Sequence, residues 1–155
     1  MNITIPHHVN RILTVLEING YQAYLVGGSI RDALLGRSPA DFDIATSAKP
    51  ELVEKIFEEL QTAATGKAYG TITVIQEEGT VEVTTFRKDL GYSDGRRPDK
   101  VQYTECLEED LMRRDFTINA MAYNPSEGLI DPFNGSDDIR GRQVRCVGDP
   151  MERLS

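Results

Sequence analysis

The sequence lacks the features that assign a chain to several specialised classes of protein. Its two cysteines, Cys106 and Cys146, are far apart and have no histidines at ligand spacing, which argues against a zinc-centred or disulfide-stapled fold. No apolar run approaches the roughly 18 residues that a membrane-spanning helix requires. The N-terminus has neither the basic nor the apolar segment of a signal peptide, so we expect a cytoplasmic protein with reduced thiols and no membrane partner.

A surplus of basic residues is also missing. The chain has 17 lysines and arginines against 25 aspartates and glutamates, for a formal net charge of −8. Phosphate binding usually leaves a basic footprint, and only residues 87–100 are locally basic. Acidic runs such as Glu108-Glu109-Asp110 are typical of solvated surface. The overall charge therefore gives no support to an extensive nucleic-acid interface on these residues.

The residues that are present fit one globular domain. The chain has 155 residues, of which 39% are hydrophobic, enough for a sizeable core. Periodicity and turn residues predict helices over 6–18, 29–35, 50–60 and 107–122 (the last either continuous or interrupted near Asp115), strands over 23–26, 42–46, 71–76, 80–87 and 129–131, and a loop over 88–100. Because these elements follow no strict βαβ rhythm, we expect an α+β fold with a mixed, largely antiparallel sheet flanked by helices.

Two aspartates interrupt an apolar strand segment. Asp41 and Asp43 are two residues apart, so in a strand both project from one face, while Phe42 and Ile44 face the other way. Carboxylates held so close repel each other unless a cation lies between them, and Mg²⁺ is the natural occupant. Glu82 is a candidate third acid, although a solvent-facing strand position is an equally good explanation for it.

A glycine turn precedes this acidic pair. Gly27-Gly28-Ser29 stands between a buried strand and a helix, where glycines let the backbone approach a phosphate and the helix start offers free N–H groups. Arg31 adds a charged donor. The pattern fits neither the Walker A sequence nor G-x-G-x-x-G, which argues against a P-loop or dinucleotide fold. The turn and the acidic pair together predict a site for a metal–nucleoside triphosphate complex.

The motifs YLVGGSIRDALLG, DFDIAT, VEVTTFR and EEDLMRRDFTINAMA resemble those of the DNA polymerase β nucleotidyltransferase superfamily. More narrowly, they resemble the class II tRNA nucleotidyltransferases, the bacterial CCA-adding enzymes, with the related poly(A) polymerases close by. The similarity runs from Tyr24 to Arg153. It implies a nucleotidyltransferase fold in which the two aspartates bind two Mg²⁺ ions. It also implies nucleotide contacts by the Gly28-Ser29 turn and a set of further residues, Arg31, Arg114, Asp115 and Asn119, the last two orienting the ribose or bracing the site.

The resemblance also implies a reaction: template-independent transfer of CMP and AMP from CTP and ATP to the 3′ end of tRNA. In the class II enzymes, a base-reading motif and tRNA-binding helical domains follow the region that resembles VGDPMERLS. We therefore expect residues 1–155 to be the catalytic head domain of a longer enzyme, ending at the start of its helical neck. A poly(A) polymerase or A-adding head, or a nucleotide-binding fragment without turnover, are the alternatives. A CC-adding specialist would lack the flexible loop that DGRRPDKVQ resembles.

Overall fold

Two sheets and five helices make up the part of the chain that the structure describes. The structure, a computed structural model, describes residues 3–39, 41–90 and 100–147. The strands are β1 (Ala23–Val26), β2 (Asp43–Thr46), β3 (Gln61–Ala63), β4 (Thr71–Gln76), β5 (Gly79–Thr85), β6 (Arg87–Leu90), β7 (Lys100–Tyr103), β8 (Ala122–Asn124) and β9 (Gly128–Ile130). The helices are α1 (His7–Ile18), α2 (Gly28–Leu34), α3 (Pro50–Ile56), α4 (Leu107–Met112) and α5 (Gly135–Arg140), with 3₁₀ turns at Lys67–Tyr69 and Thr117–Asn119.

Seven of these strands form one mixed sheet, in the order β3-β4-β5-β2-β1-β8-β9, and β6 pairs with β7 in a separate hairpin. The β2–β5 pair is parallel, and the other neighbouring pairs of the described strands are antiparallel. Helices flank the sheet. This arrangement confirms the predicted α+β fold with a mixed, largely antiparallel sheet.

The buried side chains form two hydrophobic clusters, and β1 contributes to both. The larger cluster contains Leu25 of β1 and the buried stripe of α1, which is Val9, Ile12, Leu13 and Leu16. The smaller cluster contains Tyr24 and Val26 of β1 with Phe86 and Leu111. Since β1 is covered on both sides, all four of its residues are buried, which explains why its sequence is continuously apolar rather than alternating.

The predicted helix over 107–122 is wrong as a continuous helix: it is interrupted close to Asp115, as the alternative had it, and its residues beyond Met112 do not return to an α-helix. Helix α4 ends at Met112, a 3₁₀ turn follows, and β8 pairs with β1. Long-range pairing causes the change: Phe116 forms a β-bridge with Cys146, and the Thr117 N–H donates to the Arg145 carbonyl at 3.0 Å. Helical periodicity in the sequence carries no information about a partner so distant along the chain.

The predicted loop over 88–100 is wrong at both ends, because β6 and β7 pair there. Neither β3 nor α5 was expected, whereas β1 and β4 have the predicted bounds. Residues 91–99, which include most of DGRRPDKVQ, and residues 148–155, where the expected neck would start, lie outside the described residues. No helix in the described ranges is long and apolar enough to cross a membrane.

Candidate active site

Strand pairing brings the acidic pair and the glycine turn together. Asp43 is the first residue of β2, which lies between β1 and β5. It is in register with Val26, the last residue of β1, and with Glu82 of β5. Because Gly27 and Gly28 follow Val26 directly, the turn lies beside Asp43. Two motifs that are separate in the sequence therefore meet at one end of the central strands.

Three carboxylates crowd this end of the sheet. Asp41 and Asp43 both keep exposed surface, and Glu82 lies directly opposite Asp43 on the neighbouring strand, where its charge acts on the Asp43 carboxyl. Partial burial of the carboxyl raises the pKa of Asp43, the charges of Glu82 and Asp41 raise it further, and the charge of Arg114 opposes them. The folded chain thus holds these carboxylates together against their mutual repulsion.

This donor set fits a hard divalent cation, because carboxylate oxygens are the ligands that Mg²⁺ prefers. Within residues 3–39, 41–90 and 100–147, no three histidine, cysteine or acidic side chains are already grouped as a complete metal site. An ion held by Asp41 and Asp43 would therefore take further ligands from water or from a phosphate group. One or two carboxylates plus substrate phosphates is a common way for proteins to bind Mg²⁺.

Two guanidinium groups lie close to the Gly27–Gly28 turn. Gly27 has a φ of +76°, which residues with a side chain rarely adopt. A Cβ on Gly27 would lie 3.7 Å from Nη1 of Arg114, and a Cβ on Gly28 would lie 3.1 Å from Nη2 of Arg31. Gly27 is therefore required by its backbone conformation, and Gly28 leaves room for Arg31, while Arg114 lies at ordinary contact distance from the turn.

The second of these arginines ties the turn to the RRDFTINA segment. Nη1 of Arg31 donates to Oδ1 of Asn119 at 3.0 Å, and its Nε donates to Oδ1 of Asp32 at 3.2 Å. Asn119 lies in the second 3₁₀ turn. The amide of Asn119 thus orients Arg31, and both predicted site residues lie at the same place in the fold.

Ser29 and Asp115 are placed differently from the other predicted residues. Ser29 is 6% exposed, and its hydroxyl donates to the Val26 carbonyl at 3.4 Å, so the side chain closes the turn. The Asp115 side chain is exposed, while its backbone carbonyl accepts from the Val147 N–H at 3.0 Å. Nucleotide binding by either residue stays a prediction.

Arg114 is held by a buried carboxylate. Its Nη2 donates to Oδ2 of Asp110 at 3.2 Å, and the Asp110 side chain is 0% exposed against 19% for Arg114. Burial lowers the pKa of Arg114, whereas the charges of Asp110 and Asp43 raise it. The buried Nε of Arg114 has no hydrogen-bond partner among the described residues. Arg114 is therefore a cation close enough to Asp43 for their charges to interact, and one of its donors is not engaged by the described residues.

Sequence reasoning missed Asp110. The interpretation of Glu108-Glu109-Asp110 as solvated surface is wrong for Asp110, which is fully buried. Helical spacing carried the signal: Leu107 and Leu111, both buried, share the helix face of Asp110, and Arg114 follows four residues later. An acid on an apolar stripe with an arginine one turn away predicts a buried ion pair.

Comparison with known proteins agrees with the observed fold. The mixed sheet with its flanking helices is a nucleotidyltransferase fold. The chain belongs to the poly A polymerase head domain family, which residues 23–145 match. Enzymes of this family generally use divalent metal ions.

Individual relatives are closely similar but much longer. A CCA-adding enzyme of Bacillus licheniformis is 52% identical over 143 residues, which is 92% of this chain and 36% of that protein. The crystal structure of the Bacillus stearothermophilus CCA-adding enzyme in complex with CTP superposes with a TM-score of 0.83 at 44% identity, over 94% of this chain and 34% of that one. A tRNA nucleotidyltransferase complexed with a primer tRNA and an incoming ATP analog has a TM-score of 0.70 at 29% identity, over 88% of this chain and 39% of that one.

Proposed function

We propose that the chain is the catalytic head domain of a longer enzyme that transfers CMP and AMP from CTP and ATP to the 3′ end of tRNA. The observation that supports this most strongly is the strand register that sets Asp43 between the Gly27–Gly28 turn and Glu82. Arg114 lies close to both the turn and Asp43. Carboxylates for a metal and guanidinium groups for a triphosphate are what nucleotide transfer requires in one place.

The relatives support the choice of substrates. The matching proteins are CCA-adding enzymes, one solved structure holds CTP, and another holds a primer tRNA with an ATP analog. We extend CTP, ATP and the tRNA 3′ end to this chain on that basis, and a cytoplasmic location fits such a substrate.

In this proposal Asp41 and Asp43 would hold two Mg²⁺ ions. When bound, the ions lower the pKa of the attacking 3′-hydroxyl and neutralise the charge of the departing pyrophosphate. Arg114 and Arg31 bind the triphosphate oxygens and keep the α-phosphorus in line with the attacking oxygen. Gly27 and Gly28 let the phosphates lie against the backbone. Positioning and charge stabilisation of this kind supply most of the rate in such transfers.

A poly(A) polymerase head is the second candidate, which the description of the matching family favours. The two candidates are distinguished by sequencing the RNA ends after a reaction. The full-length protein is incubated with Mg²⁺, all four nucleoside triphosphates and tRNA that lacks its 3′ terminus. We expect cytidines followed by one adenosine. Runs of adenosine alone would favour the polymerase, and unchanged ends would contradict both.

Glu82 is expected to assist the metal site. Glu82→Gln should slow nucleotide addition about 100-fold and raise the Mg²⁺ concentration needed for half-maximal rate, because the variant loses a carboxylate beside Asp43. A Mg²⁺ titration of the initial rate measures this. Glu78→Gln, which alters an exposed partner of Arg11, is the matched control and should leave the rate unchanged. A Glu82→Gln variant with wild-type rate and Mg²⁺ dependence would show that Glu82 is an ordinary surface residue of β5.

A further inference from the structure

Asp110 accepts hydrogen bonds from three residues, two of which follow α4 while the third begins β6. Its Oδ2 accepts from Nη2 of Arg114 at 3.2 Å. Its Oδ1 accepts from the backbone N–H of Arg87 at 3.0 Å and from Nε of Arg113 at 3.4 Å. The side chain is fully buried, so its charge is tolerated only because these donors surround it.

These contacts fix one edge of the Arg114 guanidinium. Nη2 is occupied by Asp110, while Nη1 is the atom nearest to the Cβ position of Gly27. A guanidinium is planar, so holding one terminal nitrogen limits where the other can point. A long, flexible side chain is thereby kept beside the glycine turn before any ligand arrives, which removes an ordering cost from binding.

The same carboxylate also reaches the β6–β7 hairpin. Arg87 is the first residue of β6, and its side chain donates through Nη1 to the Tyr69 carbonyl. The backbone N–H that donates to Asp110 therefore belongs to the first residue of β6, whose position is also held by the side-chain hydrogen bond to Tyr69. Asp110 thus fixes the position of Arg114 relative to the β6–β7 hairpin as well as to α4.

We infer that Asp110 is a positioning residue for nucleotide transfer, which sets the Arg114 guanidinium against the Gly27–Gly28 turn without touching the substrate. The inference rests on the proposed function, since it gives Arg114 the triphosphate as its ligand. If Asp110 had only a structural role, its substitution would change the stability of the protein and leave KM and kcat for the nucleotide unchanged.

A double-mutant cycle with Asp110→Asn and Arg114→Gln in the full-length protein tests this, with KM for CTP, kcat and thermal unfolding as readouts. Asp110→Asn keeps an oxygen for the Arg87 N–H but loses the charge that holds Arg114. We expect a KM at least tenfold higher for Asp110→Asn alone, and less than a twofold further change when it is added to Arg114→Gln. Tyr24→Phe, which removes a partly buried hydrogen bond to Glu127 at the far end of β1, is the stability control and should leave KM unchanged.

The outcomes separate the two proposals. No metal-dependent addition by the wild type would refute the proposed function itself. If the wild type adds nucleotides, two results would overturn the positioning role. One is a KM of Asp110→Asn within twofold of the wild-type value, and the other is a double variant in which the separate effects of Asp110→Asn and Arg114→Gln multiply. If Asp110→Asn does not fold, Arg114→Lys takes its place: the lysine keeps the charge but cannot bridge Asp110 and the turn, so KM must still rise tenfold, and an unchanged KM overturns the inference.

Discussion

Asp43→Asn is expected to lower nucleotide addition by about three orders of magnitude, and Asp41→Asn by a similar factor, without loss of the fold. Each substitution removes a charged ligand of the proposed metal site while keeping the side-chain volume. The loss should appear in kcat for CTP and ATP alike, because the metal acts on phosphate and 3′-hydroxyl rather than on the base. Initial rates of labelled nucleotide incorporation by the full-length protein measure it.

The matched control is Glu59→Gln, which changes an exposed acid that follows α3. The Glu59→Gln variant should add nucleotides at the wild-type rate. This result would exclude the explanation that any loss of one negative charge slows the reaction. Turnover close to the wild-type rate in either aspartate variant would rule out the proposed metal ligands.

The stability of Asp43→Asn gives a second and independent readout. Burial and the neighbouring carboxylates raise the pKa of Asp43 above its ordinary value of 3.8. Ionised Asp43 therefore costs folding free energy above that raised pKa, and the cost disappears as the pH falls and the native state takes up a proton. In EDTA at pH 8 the variant should melt a few degrees higher than the wild type, with the difference closing toward pH 4. A variant that melts lower at pH 8 would contradict the crowding of carboxylates.

Gly135→Ala is expected to lower the free energy of unfolding by about 3 kcal/mol or more. A Cβ at this position would lie 2.1 Å from the carbonyl oxygen and 2.7 Å from the carbonyl carbon of Thr117. Both atoms are backbone, so neither can move aside by rotating a side chain. The start of α5 would separate from the 3₁₀ turn that carries Asn119, and the Asn119 contact with Arg31 would be lost with it.

Urea unfolding of Gly135→Ala and Gly141→Ala provides the comparison. Gly141 follows α5 with a φ of −83°, and the atom nearest to its Cβ position is the Asp137 carbonyl oxygen at 3.4 Å, an ordinary contact. Alanine there should change stability by less than about 1 kcal/mol. Equal stability of the two variants would mean that α5 does not pack against the turn as described.

The sequence predicted the elements that are defined by local pattern. The apolar positions of α1 recur at helical spacing, β1 is one short apolar run that ends at a glycine turn, and β4 and β5 are rich in strand-forming residues; all of these elements were confirmed. The segment after Met112 was missed because its structure depends on pairing with residues near Cys146. Short elements such as β3 and α5 have too few residues to show a period.

The candidate site was predictable in part. Asp43 and the Gly27–Gly28 turn were recognised as complementary halves, and the register of β1 with β2 brings them together. Asp110 was not recognised, because in the sequence it ends a run of acids and only the helix face distinguishes it from Glu108 and Glu109. Such a carboxylate can be recognised only when the residues of the helix are assigned to its apolar and polar faces.

Calorimetric titration of the 155-residue chain with CTP, ATP, GTP and UTP, each with Mg²⁺ and with EDTA, tests the metal–triphosphate site most directly. All of the proposed contacts are made to the triphosphate and none to the base. They come from Arg31, Arg114, the glycine turn and the metals at Asp41 and Asp43. Base selection instead needs hydrogen-bonding groups that cost about 1–3 kcal/mol when left unpaired. We therefore expect weak binding of all four nucleotides with dissociation constants within about threefold of one another, and no binding in EDTA. A tenfold preference for CTP and ATP, binding that persists in EDTA, or no binding to the folded chain would contradict this site.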